Sequence, residues 1–140
     1  MMEEVGKAPG IRIVANCYGK WLRDEGRAQF ESVLPAQPKI DLVYAHNDPM
    51  AIGAWLGAQA VGRDKEMKFV GIDALSTADG GIKAVMDGKL AATFLYPNCG
   101  KEAIEYASKI LNGEQVPKRV VLPTATITKE NAAQYYKPNG

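Results

Sequence analysis

The stretch VYAHNDPMA sets three polar residues, His46, Asn47 and Asp48, between an apolar run and Pro49. An imidazole close to a carboxylate could move protons as a general acid–base pair. An amide beside a carboxylate could equally clamp a hydroxylated ligand or start a helix. Acid–base catalysis is the weaker reading, because neighbouring strand residues point to opposite faces. No serine or cysteine nucleophile is placed nearby by the sequence. His46 is the single histidine of the chain, with no HExxH motif and no Cys/His partner, so no metal is expected. Asp48 before Pro49 fits an N-cap followed by proline at the first helical position. That leaves Asn47 to face a ligand, and His46 as a neighbour without chemistry.

Other residues of the same kind follow apolar runs elsewhere. Asn16 and Cys17 are followed closely by Trp21 and Arg23, Asp73 closes a third run, and Tyr96 closes a fourth. An aromatic face can cover the apolar face of a sugar ring, while amide, carboxylate and guanidinium groups bond its hydroxyls. This is the chemistry of a polyol clamp rather than of a phosphate cradle. Each residue also has a structural alternative. Trp21 could be core, Arg23 a surface cation, Asn47 and Asp73 turn supports, and Tyr96 an ordinary strand aromatic. There is no GxGxxG, no GxxxxGK[ST] and no GxSxG, so neither a nucleotide cofactor nor a hydrolase elbow is expected.

The elements that must position these groups are legible as short apolar runs: Ile11–Ala15, Leu42–Ala45, Phe69–Ile72 and Leu90–Leu95. Mostly continuous rather than alternating, they fit strands buried on both faces of a parallel sheet. Helical patterns fill the gaps. They run over about Trp21–Leu34, Pro49–Val61, Thr77–Asp87 (with Ser76–Asp79 as cap region) and Gly100–Leu111. Gly62 and Gly88 stand where left-handed C-caps are wanted. Arg119–Leu122 and Thr126–Thr128 read as short strands, with Thr128 capping a last helix through Tyr135. The fold class is α/β, a three-layer α/β/α arrangement with a mainly parallel sheet. In such a sheet the carboxyl ends of the strands share one rim, where ligands bind.

The chain has 140 residues, 46% of them hydrophobic, and a net charge of +1. That suits one ordinary domain with a real core and gives no drive toward nucleic acid or an anionic membrane. No run approaches the roughly 18 apolar residues of a membrane span. Cys17 and Cys99 form no CxxC motif and read as free, partly buried thiols.

Taken in order, DLVYAHNDPMAIGA, KFVGIDAL and MDGKLAATFLYP resemble the C-terminal half of type I periplasmic sugar-binding proteins, the ribose- and galactose-binding class. ANCYGKWLRDEGR is similar to the periplasmic sensor domains of hybrid two-component regulators. The effector domains of LacI-type repressors share the fold and form an alternative context; a small α/β enzyme using His46 and Asp48 is a second alternative. The resemblance implies non-enzymatic sugar binding for transport or sensing, in the periplasm. Its partners would be a small sugar and a transporter or sensor kinase, with no nucleic acid and no cofactor. It assigns ligand contacts to Trp21 (ring stacking), Arg23, Asn47, Asp73 and Tyr96, and a hinge to Tyr96–Pro97. Tyr96 stands where the family often has Gln, and Ile72 where an aromatic often precedes the aspartate.

Family members are nearly twice this length, so the resemblance implies a single partial domain. Residues 1–96 would be βα units of the C-terminal lobe, 97–125 the segment crossing to the other lobe, and 126–140 the return strand and terminal helix. The stripe of Ile104, Ala107, Ile110 and Leu111 would then lack its partner, and Ile11–Ala15 would become an edge strand. Self-association, or refolding of that helix onto the sheet, is expected to cover them, and the isolated chain is expected to bind sugar weakly.

Overall fold

The computed structural model describes residues 5–138. Its sheet has four strands in spatial order: β1 (Leu42–Tyr44), β2 (Lys68–Asp73), β3 (Ala92–Leu95) and β4 (Thr126–Ile127). The first three are parallel, with Val43 opposite Phe69 and Gly71 opposite Thr93, and β4 runs antiparallel to β3. This is the expected mixed α/β fold with a mostly parallel sheet.

Among the described residues, the helices with both ends defined are α1 (Arg23–Val33), α2 (Asp48–Ala60), α3 (Gly81–Met86), α4 (Gly100–Leu111) and α5 (Ala132–Tyr135). A 3-10 turn at Leu34–Ala36 closes α1, with Pro35 inside it. Arg63 secures that corner: its guanidinium donates to the carbonyls of Leu34, Gln37 and Pro38 and to the Glu66 carboxylate. Gly62 and Gly88 have positive φ of 73° and 75° just past α2 and α3, as left-handed helix ends require.

α2 covers the face of β2 that presents Phe69 and Gly71, while Val70 and Ile72 on the opposite face are half-buried. The strands are therefore more one-sided than their continuous apolar runs suggested. α1 crosses α2 backbone to backbone. A Cβ on Gly53 would lie 2.1 Å from the Arg23 carbonyl oxygen, and one on Gly26 would lie 2.9 Å from Met50 Cα. Glycine at both positions is what allows this approach. The core gathers Phe30, Leu34, Ile52, Phe69, Ile82, Val85, Leu90 and Ile127, with Phe30 edge-on to Phe69 at 6.1 Å.

Several expectations are corrected. Ile11–Ala15 joins no strand ladder; Ile11 and Ile13 are exposed, and only Val14 packs against the core. Arg119–Leu122 is likewise not a strand. Single-sequence apolarity marks such segments as strands, but a strand needs a paired neighbour along its edge. α3 begins at Gly81 rather than Thr77, because Thr77 Oγ1 donates to the Asp79 carboxylate and closes a turn before the helix. Thr128 does not cap α5: Asn131 stands at that position, and its Oδ1 accepts from the Thr128 amide. α4 has no buried residue, so it has not folded back onto the sheet. Cys17 and Cys99 are free, as expected, but exposed rather than partly buried.

Candidate functional site

The junction VYAHNDPMA divides its labour differently from the sequence expectation. Asn47, not Asp48, is the N-cap of α2. Its backbone is extended, and its Oδ1 accepts from the Met50 amide at 2.9 Å. Such a cap is worth about 1 kcal/mol. Asn47 Nδ2 donates to the Trp21 carbonyl at 2.9 Å, which ties the loop before α1 to the rim. Asp48 sits at the first helical position, fully buried. Its Oδ1 accepts from Thr93 Oγ1 at 2.6 Å and its Oδ2 from the Leu75 amide at 2.9 Å. Burial pushes its carboxyl up to about 6, with the Asp73 charge adding to the rise and the Thr93, Leu75 and Gly81 donors opposing it.

His46 is exposed and edge-on to two rings, Tyr44 at 5.1 Å and Trp21 at 6.5 Å. It makes no hydrogen bond to Asp48, whose two oxygens already have partners on β3 and the β2–α3 loop. The acid–base pair considered from sequence is not assembled. Among the described residues, no group of three His, Cys, Asp or Glu side chains could hold a metal ion.

Trp21 is 59% exposed. Its backbone is left-handed, φ 64°, following Lys20 at φ 50°. Asp73 and Ala74, where β2 ends, have φ 109° and 55°, and Cys99 after β3 has φ 58°. Among the described residues these five are all the non-glycine positions with positive φ, and they lie at the carboxyl edge of the sheet or beside it, Asp73 as the last residue of β2 and the others in loops. Left-handed backbone at a side-chain-bearing residue is costly and persists only where its surroundings enforce it.

Asp73 and Tyr96 line one cavity of about 810 Å³, together with Ser76, Asn98, Lys101 and Lys137 among others. The Tyr96 amide donates to the Asp73 carbonyl at 3.4 Å. Burial raises the Asp73 carboxyl above its usual range. Trp21 and Asn47 form a second cluster, joined by their own hydrogen bond, outside the lining of that cavity. Arg23 belongs to neither. Its Nη2 donates to the Asp79 carboxylate at 2.8 Å and to the Asp79 carbonyl at 3.1 Å, and its buried Nε has no partner among the described residues.

Sequence reasoning missed Thr93. It is fully buried in β3 and accepts from the Ala74 amide at 3.2 Å while donating to Asp48. A hydroxyl inside the otherwise apolar run AATFL was the available signal.

With this geometry in view, comparison with known proteins is decisive. Residues 1–115 match the model of the periplasmic binding protein domain. The chain belongs to that family. The putative rhizopine-binding protein of Rhizobium meliloti is 31% identical over 132 residues, covering 93% of this chain and 42% of the relative. The ribose import binding protein of Escherichia coli K12 is 38% identical over 110 residues, covering 77% of this chain and 36% of the relative. Among solved structures, the fructose-binding periplasmic domain of a hybrid two-component system superposes with a TM-score of 0.91 at 41% identity. That match covers 95% of this chain and 44% of the other. The chain thus spans less than half the length of these relatives. The family consists of binding proteins, not enzymes.

Proposed function

We propose that this chain supplies one lobe of a sugar-binding site, in a protein that closes around a monosaccharide or small sugar for import or for sensing. The observation that carries the reading is the concentration of left-handed, side-chain-bearing backbone at the rim. Two of those residues are Trp21 and Asp73. In this reading Trp21 stacks on the sugar ring and Asp73 accepts from its hydroxyls. Asn47 holds the Trp21 loop and turns its remaining amide hydrogen to the ligand. Arg23 reaches the ligand on leaving Asp79, and Tyr96 marks the hinge side of the cavity. The relatives' sugars support the substrate class, and the intact protein acts in the periplasm with a transporter or a sensor kinase.

Residues 1–96 carry the lobe, 97–125 cross toward the second lobe and 126–140 return. A single lobe leaves one side of the ligand in water, whereas small-molecule sites bury most of their ligand. The isolated chain therefore binds weakly, and the two-lobed protein binds well. In the isolated chain the bare face of α4 pairs with a second copy.

The test is calorimetry with D-fructose and D-ribose on the two-lobed protein and on the 140-residue chain. Saturable binding to the former, lost on Trp21→Ala, is expected. Micromolar affinity of the isolated chain would contradict the half-site. A two-lobed protein that binds no pentose or hexose would overturn the sugar reading.

A further inference from the structure

Asp48 is fully buried, yet it bonds the turn that lines the cavity. Its carboxylate is fully buried, with no cation beside it among the described residues. Among the described residues its hydrogen-bond partners are all donors, the Thr93 hydroxyl, the Leu75 amide and the Gly81 amide, while the Asp73 charge acts on it from nearby. The space around it is closed by backbone. A Cβ on Gly71 would come within 2.4 Å of its Oδ1, and one on Gly81 within 2.0 Å of its Cγ.

The chain of bonds has a direction. Thr93 Oγ1 gives its one proton to Asp48 and can therefore accept the Ala74 amide proton. The Leu75 amide goes to Asp48 directly. The amides of two successive residues, 74 and 75, are thus fixed from the buried side. They directly follow Asp73, and both Asp73 and Ala74 hold left-handed backbone. A buried acceptor that satisfies this turn removes the alternative in which it relaxes and swings the Asp73 carboxylate out of the cavity.

We propose that Asp48 is a positioning residue for the ligand site. Acting through Thr93 Oγ1 and the Leu75 amide, it locks the turn after β2 and so sets the Asp73 carboxylate in the cleft. This deepens the sugar-binding reading and rests on it. An asparagine at 48 would put an amide N–H against a donor, so near-identical shape does not preserve the relay.

The test has two arms. The first needs no sugar: amide hydrogen exchange in this chain and in Thr93→Val, Thr93→Ser and Asp48→Asn. Thr93→Val is expected to speed exchange at Ala74 and Leu75 about tenfold, the worth of one buried hydrogen bond. The amides of Ala45 and Lys68, held in the β1–β2 ladder, stay as protected as in the parent. Thr93→Ser, which keeps the hydroxyl, restores the parent rates, and Asp48→Asn behaves like Thr93→Val. Unchanged exchange at Ala74 and Leu75, or equal loss of protection at Ala45 and Lys68, overturns the proposal.

The second arm measures affinity in the two-lobed protein for whichever pentose or hexose the parent binds, starting with D-fructose and D-ribose. Affinity is expected to fall about tenfold in Thr93→Val and to recover in Thr93→Ser. A loosened turn with unchanged affinity also overturns the positioning role. A parent that binds no pentose or hexose defeats the sugar reading instead, and the exchange arm still decides whether Asp48 holds the turn.

Discussion

Gly53→Ala and Gly57→Ala are the same chemical change four residues apart on α2, and the structure assigns them opposite outcomes. In a helix interior alanine is favoured over glycine by about 1 kcal/mol, so both variants start with that gain. At Gly57 the new methyl meets Glu31 Cγ at 3.0 Å, the stem of an exposed side chain that can shift at the cost, at most, of its surface ion pair with Arg27. At Gly53 it meets the Arg23 carbonyl oxygen at 2.1 Å and the Arg27 amide nitrogen at 2.9 Å, both backbone atoms of α1. Ordinary contact begins near 3.4 Å, so α1 would have to retreat by about 1 Å along a crossing with no slack. Overpacking of this kind costs about 1–3 kcal/mol, and a backbone-to-backbone clash belongs at the upper end. The net expectation is a loss of about 2 kcal/mol for Gly53→Ala and a gain of about 0.5–1 kcal/mol for Gly57→Ala. Urea unfolding followed by far-UV circular dichroism, with m unchanged, reads this directly. At an m of about 2 kcal/mol/M the midpoint of Gly53→Ala falls by about 1 M. A Gly53→Ala protein as stable as Gly57→Ala would refute the close helix crossing.

Other outcomes follow from exposure and burial. Trp21→Ala should change stability by no more than about 0.5 kcal/mol, because the ring is largely solvated. In the two-lobed protein it should cost about tenfold in sugar affinity through lost ring stacking, which calorimetry measures. Asp48 titrates near pH 6 folded but near 3.8 unfolded, so the folded state holds the extra proton between those values. Its contribution therefore favours folding at acid pH and falls as pH rises through 6, by an amount on the order of 3 kcal/mol. Urea midpoints of the parent minus those of Asp48→Asn should drop between pH 4.5 and pH 7.5; a difference that rises would show the sign to be wrong. Replacing Ile104 and Leu111 together with aspartate should leave the urea midpoint unchanged, since both are exposed. If α4 pairs with a second copy as proposed, sedimentation velocity should show concentration-dependent association in the parent and none in the variant.

Legibility from sequence tracked how local the deciding interaction is. α2 and α4 fall within a residue of their expected limits, because Pro49, Gly62 and Gly113 act on their own neighbours. β2 and β3 were found as short, mostly continuous apolar runs, the second stopped by Pro97. The Asn47–Asp48 exchange of roles was not readable. Both residues are good caps, and the choice is made by Thr93, 45 positions away, which engages Asp48 and leaves the cap to Asn47. Arg23 was expected at the rim, and Asp79, 56 positions away, draws its guanidinium toward the β2–α3 loop. Ile11–Ala15 shows the converse: composition suited to a strand, with no ladder partner to make it one. Which strand ends share an edge was legible, since parallel βα order fixes it, but the residues expected to meet there fall into two clusters, with Asp73 and Tyr96 on the cavity and Trp21 and Asn47 outside its lining.

Phe94 and Thr126 sit opposite each other in the β3–β4 ladder, and Thr124 Oγ1 donates to the Leu95 carbonyl at 2.5 Å. The chain therefore leaves the sheet and re-enters it at the same doorway, after an excursion that carries α4. Because the two thresholds are neighbours, closing the sheet imposes almost no condition on how long or how large the excursion is. The arrangement is a socket: a scaffold that keeps its own core while whatever is threaded between residues 97 and 125 can be exchanged as a cassette. A lobe built this way can acquire a new partner surface without repacking the core of its sheet, although the first residues of the excursion, Asn98 and Lys101, also wall the cavity beside Asp73.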